Sequence, residues 1–363
     1  MITIGQRWEV LKGRPSGFDY MRIVLSSCVL IWHSYQVAYG TDEAIRFWKE
    51  SLVGWFLPII LPIFFALSGF LVAGSMYRNS NLRTFLTLRV IRIFPALVVE
   101  VALAGLILGP FLTTMRLSEY FTSPIFYKYF LNMVGYIHYL LPGVFEHNPE
   151  RGTVNSQLWT VPFELECYVA ISIVAILGMF RDIRLVFPFF ILATVFLVSH
   201  NIYRDIDPAP AGGVSGRLLV LCFFAGVVIY SFRNMIPLSS MMAAGSILLS
   251  IILIRLRYTS YITPILFAYF TTYIGLLNPK RSIIVRSGDY SYGLYLYSCP
   301  IQQTVAVLLG IHLTFVLNLA ISFPIAVVFA LFSWWCIEKP FLKVRRFVGA
   351  RPAPTPARAD SIN

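Results

Sequence analysis

Long apolar runs separated by short charged connectors make up most of the chain. Ten of these runs approach the roughly 20 residues that a membrane-crossing helix needs. They cover positions 18–39, 52–77, 91–113, 157–180, 185–202, 215–233, 236–254, 259–278, 289–310 and 313–337. The pattern predicts an all-α integral membrane protein, a bundle of about ten transmembrane helices. The connectors are unequal in charge: alternate ones, with both ends of the chain, hold 19 of the 29 basic residues. By the positive-inside rule both termini are then cytoplasmic. Arg255 and Arg257 fall on the opposite side and are the main exception. The segment 125–145 is apolar but carries Lys128, Asn132, His138 and Pro142. A span there would invert every later connector, so it reads as interfacial or re-entrant.

Three regions follow: a cytoplasmic N-terminal segment 1–17, a transmembrane domain 18–340, and a basic tail 341–363. From Gly349 the tail is rich in Ala and Pro and reads as disordered. The first apolar run continues past Phe18 without a small-residue cleavage site, so it reads as a retained helix and not a signal peptide. Neither an internal repeat nor a soluble domain stands out.

Composition agrees with this class: 58% of residues are hydrophobic and 13% charged, and the mean hydropathy is +0.73. A net charge of +12 would suit nucleic acid if the basic residues formed a patch. They punctuate apolar runs instead, which argues for topology and local anion binding and against a nucleic-acid partner. The five cysteines all lie in apolar runs without CxxC or His-spaced clusters, so neither a disulfide framework nor a metal site is expected.

Against that background, ionisable residues inside the runs are conspicuous, because burying them in a membrane is costly and they usually face a protein interior or a water-filled path. Arg22 and His33 lie eleven positions apart on the first run. That is about three helical turns, placing them on one face roughly 16 Å apart. Asp19, one turn before Arg22, shares that face and is expected to pair with it. His33 is suited to removing a proton from a hydroxyl near neutral pH. Glu164 and Glu166 follow Trp159 and Pro162 at the start of another run, and only one of them should point inward. Glu164 is expected at the depth of His33, where it would orient the imidazole. Arg89 and Arg92 abut a third run and would suit a phosphate through their planar forks. Ser68 and Gly69 allow close backbone approach, and no GxSxG elbow makes Ser68 a hydrolase nucleophile.

Taken in order, Arg22-x10-His33, FFALSGFL (64–71), RVIRIFP (89–95), LWTVPFE (158–164), GDYSYGLYLY (288–297) and IEKP (337–340) resemble the membrane-bound acyltransferase 3 family. The resemblance implies transfer of an acyl group, commonly acetyl from acetyl-CoA, to a carbohydrate hydroxyl on an exopolysaccharide, an O-antigen or a lipid-linked oligosaccharide. It implies catalytic roles for Arg22, His33 and Glu164, donor contacts at Arg89, Arg92 and Ser68, and support from Asp19, Trp159 and Ser298. Membrane lipid would surround the protein, in a bacterial inner membrane. Many members carry a histidine after the SYxxYLY motif, where this chain has Ser298-Cys299-Pro300, so that role does not carry over. The extracytoplasmic hydrolase-like domain fused to some members is absent, which implies transfer unaided or through a separate extracytoplasmic transferase. Two alternatives stand beside this reading: the same chemistry with succinyl, and a transporter or flippase in which His33 and Glu164 form a proton path.

Overall fold

The computed structural model describes residues 2–78, 81–179, 185–209, 213–256 and 258–344. They are helical, with no strand beyond two isolated bridges. The elements in order are α1 (Ile4–Val10), α2 (Gly17–Tyr39), α3 (Thr41–Glu50), α4 (Ile60–Arg78), α5 (Leu82–Leu103) and α6 (Gly109–Leu112). Next come α7 (Leu117–Thr122), α8 (Pro124–Tyr129), α9 (Val161–Ile176), α10 (Val186–Tyr203), α11 (Gly216–Ser231) and α12 (Ser240–Leu253). The last are α13 (Thr263–Gly275), α14 (Ile283–Ser287), α15 (Ser291–Leu309), α16 (Phe315–Phe332) and α17 (Lys339–Lys343). Wide π turns at Ala104–Leu108 and Ser333–Glu338 join α5 to α6 and α16 to α17, making continuous helices of 31 and 29 residues.

Each of the ten apolar runs contains a helix, yet among the described residues six are long and apolar enough to cross a membrane. These are Val53–Arg78, Leu82–Leu112, Ser156–Ile176, Val186–Tyr203, Ser291–His312 and Phe315–Lys343. The other four fall short for physical reasons. α2 has the length but carries Asp19, Arg22 and His33, whereas α11, α12 and α13 have 16, 14 and 13 residues. Thirteen of the 16 residues of α11 are buried, as expected of a helix apolar all round that packs inside a bundle.

Two boundaries differ from expectation in ways that bear on function. α5 starts at Leu82, nine residues before the predicted 91, because the Asn81 side chain caps it by accepting from the Arg83 and Thr84 amides at 3.0 and 3.3 Å. Arg83, Arg89 and Arg92 are therefore helical and not part of a connector. The segment 125–145 holds α8 but for its first residue, and a short 3-10 turn to Val134. Beyond it, Asn132 ties down the chain by accepting from His138 N (2.8 Å) and donating to His138 O (2.7 Å). No element there is long enough to span. Arg181, Arg184, Arg257, Arg345, Arg346, Arg351, Arg358 and the tail from Gly349 lie outside the described residues.

The centre of the bundle depends on small residues. α4 and α11 cross with Gly69 against Phe223 and Gly226 against Ala66, so close that a methyl group on either glycine would strike the opposing backbone carbonyl. This is the close approach that Ser68-Gly69 led us to expect, and it is how helices pack when lipid supplies no hydrophobic driving force. α1 docks against the same core: Ile4 and Trp8 are buried, and the Trp8 ring meets Phe70 and Tyr230 edge-on at 5.4 and 5.8 Å. α15 lies beside α2, α5 and α16. Pro300 within α15 has no N–H, so the Leu296 carbonyl four residues earlier lacks its helical donor. The Gln157 side chain donates to that carbonyl at 2.7 Å. This bond seats the turn Ser156–Thr160, with Trp159 in it, against α15.

Candidate active site

Two cavities meet inside the bundle. The first, of about 120 Å³, is walled by Arg22 and Ser26 of α2, Ser68 of α4, Arg89 and Arg92 of α5, Glu164 and Tyr168 of α9, and Ser291, Tyr292 and Tyr295 of α15, among apolar neighbours. The second, of about 80 Å³, is walled by His33, Trp32, Trp48, Trp159, Gln157 and a set of aliphatic side chains. Val29, Leu61, Thr160 and Tyr295 belong to both walls. Arg22 and His33 thus share α2 but face different chambers, with Val29 between them.

In the first chamber charge is arranged as a cluster. Arg92 donates to Glu338 at 2.5 Å and to Asp289 at 2.8 Å, and Arg22 donates to the same Asp289 oxygen at 3.2 Å. Glu338 is 2% exposed and also accepts from the Ser333 hydroxyl at 3.0 Å, so the π turn that ends α16 delivers a buried acid to α5. Arg89 makes no ion pair among the described residues. Its guanidinium lies over the rings of Phe85 and Tyr168 at 5.5 and 5.8 Å, and its buried Nε has no hydrogen-bond partner. Arg92 already bonds two carboxylates, so of the two forks Arg89 is the one without an acid partner among the described residues. Asp19 also departs from expectation. It bonds Arg281 at 3.4 Å, and Arg22 turns to Asp289 instead. The i,i+3 spacing allowed the Asp19–Arg22 pair, but each group found a partner on another segment.

In the second chamber the polar contacts are neutral. His33 Nδ1 lies 3.1 Å from Gln36 Oε1 and 3.3 Å from Ser156 Oγ, which itself lies 3.2 Å from Cys299 Sγ. Among the described residues no hydrogen bond joins Glu164 to His33. Glu164 accepts from the Tyr168 hydroxyl at 2.5 Å and faces the arginine chamber. Equal depth therefore did not mean contact, and neither the orienting role nor the proton path expected of this pair has a hydrogen bond behind it. Glu166 points elsewhere and bonds Arg217 at the surface, as the i,i+2 spacing required of one of the two acids. Ser68 walls the arginine chamber and Trp159 the histidine chamber. Ser298 walls neither; it is fully buried and its hydroxyl donates to the Tyr295 carbonyl one turn back at 3.3 Å. Its neighbour Cys299 is the residue linked to the histidine.

A family model described as "Acyltransferase domain" matches residues 16–338. The chain belongs to the acyltransferase 3 family. It is an acyltransferase, and with six apolar helices of spanning length it is a multi-pass membrane protein. Among its relatives is a protein of Shigella phage Sf6 named O-acetyl transferase, 28% identical over 337 residues, covering 90% of this chain and 95% of the other. Another is Nodulation protein 10 of Rhizobium leguminosarum bv. viciae, 27% identical over 379 residues, covering 96% and 99%. No solved structure matches the acyltransferase.

Sequence reasoning passed over several residues of the candidate site. Asp289 and Glu338 sat inside two of the motifs, GDYSYGLYLY and IEKP, without a role; the structure joins both to Arg92. Their separations of 197 and 246 positions from Arg92 leave no trace in periodicity. Tyr295 stands between the chambers, its hydroxyl donating to Gln157 O and lying 2.9 Å from Thr160 Oγ1. Gln36 was the one legible omission, since i,i+3 from His33 is a helical contact distance.

Proposed function

We propose that the protein moves an acyl group, acetyl from acetyl-CoA, across the shared wall of its two chambers to a hydroxyl of a cell-surface or lipid-linked carbohydrate. The phosphates of CoA dock from the cytoplasmic side at Arg89, whose Nε lacks a partner. Arg22 and Arg92 are held by Asp289 and Glu338, and shape that chamber while Arg89 contacts the donor. The thioester arm then reaches past Val29, Thr160 and Tyr295. In the second chamber the sugar hydroxyl meets His33 beside the rings of Trp32, Trp48 and Trp159.

The chemistry balances without a further reagent. As the sugar oxygen attacks the thioester carbonyl, His33 Nε2 takes its proton. The new C–O bond replaces the C–S bond, and the proton passes to the departing CoA sulfur. A route in which His33 briefly carries the acyl group uses the same atoms in two steps. Glu164, next to Arg89 across Tyr168, serves the donor chamber in this scheme.

The observation that carries the reading is the junction itself: an arginine with an unpartnered Nε faces one cavity, a histidine faces the next, and four residues wall both. The names of the relatives, an O-acetyl transferase and a nodulation protein, support a carbohydrate acceptor. The test is to incubate membrane vesicles containing the protein with acetyl-CoA labelled in the acetyl group and to follow both free CoA thiol and label in glycan. Matched release and incorporation, both lost in His33→Ala, are expected. Thiol release without label in any glycan would sink the carbohydrate acceptor, and no acetyl-CoA consumption would sink the donor.

A further inference from the structure

Two consecutive buried glutamines on α15, Gln302 and Gln303, reach in different directions. Gln302 Nε2 donates to Leu30 O and Ser34 Oγ, both at 2.8 Å, and so fixes α15 to the helix that carries His33. Gln303 Nε2 donates to Glu150 O and Thr153 O, again both at 2.8 Å. Its own Oε1 and backbone carbonyl accept from Asn148 Nδ2 at 2.6 and 2.9 Å. The pair therefore holds the loop carrying Glu150 at a set distance from the first turns above His33.

Between these anchors runs a chain of bonds in which every proton can be assigned. Thr41 Oγ1 donates to Glu150 Oε2 at 2.6 Å, and Gln36 Nε2 donates to Thr41 Oγ1 at 2.9 Å and to Glu150 Oε1 at 3.3 Å. A carboxylate only accepts, so the Gln36 amide must present its nitrogen to Glu150 and its oxygen to His33. The oxygen, 3.1 Å from His33 Nδ1, accepts only if Nδ1 carries the hydrogen. The imidazole is then the tautomer whose lone pair is on Nε2, the form a general base requires.

We infer that Glu150 and Gln36 are positioning residues for acyl transfer: Glu150 acts through the Gln36 amide to set the tautomer of His33 and to stabilise its charge when Nε2 takes a proton. Gln36 and Glu150 therefore do for His33 what a directly bonded carboxylate does in other histidine bases. The inference rests on His33 being the base and adds to that reading the groups that prepare it.

The test is a charge swap in the full-length protein, assayed by transfer of labelled acetyl from acetyl-CoA to glycans of host membrane vesicles. Glu150→Gln removes the acceptor that orients the amide, and Gln36→Glu sets two carboxylates against each other. Each single variant should lower kcat by about 10- to 100-fold, the range seen when a group orienting a metal-bound histidine is lost, with KM for acetyl-CoA unchanged within about twofold. In the double variant Q36E/E150Q the carboxylate bonds Nδ1 directly and the amide supports it from behind. It should recover kcat to within about threefold of wild type, and the acid limb of its rate profile should move to higher pH, because a carboxylate against the imidazolium favours the charged form. A merely structural role for Glu150 predicts neither the recovery nor the pH shift. Single variants at wild-type rate, or a double variant no better than the weaker single, with His33→Ala inactive, would overturn the relay alone. His33→Ala at wild-type rate would overturn the base reading, and the relay with it.

Discussion

The two chambers solve the same problem, polar groups inside an apolar bundle, by opposite means. In the arginine chamber two of three cations, Arg22 and Arg92, are balanced by acids delivered from elsewhere, Asp289 ahead of α15 and Glu338 on the π turn after α16. In the histidine chamber charge is kept at a distance: His33 touches an amide and a hydroxyl, and the nearest carboxylate in its hydrogen-bond chain lies beyond Gln36. A buried ion cluster is rigid and intolerant of losing one member, whereas a neutral chain lets one group change its charge during a reaction. On the proposed reading the first chamber holds the anionic donor, and the second exchanges a proton.

If that contrast is right, the largest effect should come from the proton-exchanging side. His33→Ala is expected to lower kcat by roughly 100- to 10,000-fold, the span of general-base contributions, while the purified protein elutes and melts as wild type does; a stability change of similar size would mean that His33 is part of the scaffold. Arg92→Ala should behave the other way. It strands the buried Glu338 and leaves Asp289 with Arg22 alone, so a stability loss of about 3–5 kcal/mol is expected for breaking a buried pair. That loss is readable as lower detergent-resistant yield and melting temperature. Glu338→Gln in the same background should restore part of it, because the unpaired charge is then gone.

Arg89→Ala separates donor binding from scaffold within one chamber. Among the described residues Arg89 pairs with no carboxylate, so melting should change little. KM for acetyl-CoA should rise by about 10- to 100-fold, corresponding to the 1.5–3 kcal/mol of a hydrogen bond to a charged group. An unchanged KM would move the donor contact away from Arg89 and leave the chamber a structural feature. The smallest effect is expected at Ser298→Ala. That hydroxyl bonds only its own helix, so activity should stay within about twofold of wild type, as for substitutions away from any special feature. Cys299→Ala next to it should cost more, because its sulfur touches the Ser156 hydroxyl that faces His33.

How much of this was legible follows the same division. Hydropathy located every apolar helix, because lipid and a bundle interior both demand apolar runs, but could not say that α11 to α13 fall short of a full crossing. The start of α5 was misplaced since Arg89 and Arg92 depress a hydropathy window, while the Asn81 cap that begins the helix is local chemistry that such a window ignores. His33 and Arg22 stood out because ionisable residues are costly in such a run, whatever they contact. Their partners did not stand out. Asp289, Glu338, Gln36, Glu150 and Ser156 are ordinary polar residues until the fold brings them together from 3 to 267 positions away. Glu164 shows the converse: the sequence marked it as notable and its depth suggested His33, but the turn of α9 aims it at Tyr168 and the arginines.

The central claim is that His33 performs acyl transfer to a surface carbohydrate, and mass spectrometry of cell-surface glycans tests it most directly. A strain lacking this gene would be compared with the same strain carrying the wild-type protein or His33→Ala. The account predicts that one acyl mass disappears from a glycan on deletion, returns with wild type, and stays absent with His33→Ala. Glycans identical in all three strains, or an acyl mass fully restored by His33→Ala, would contradict it.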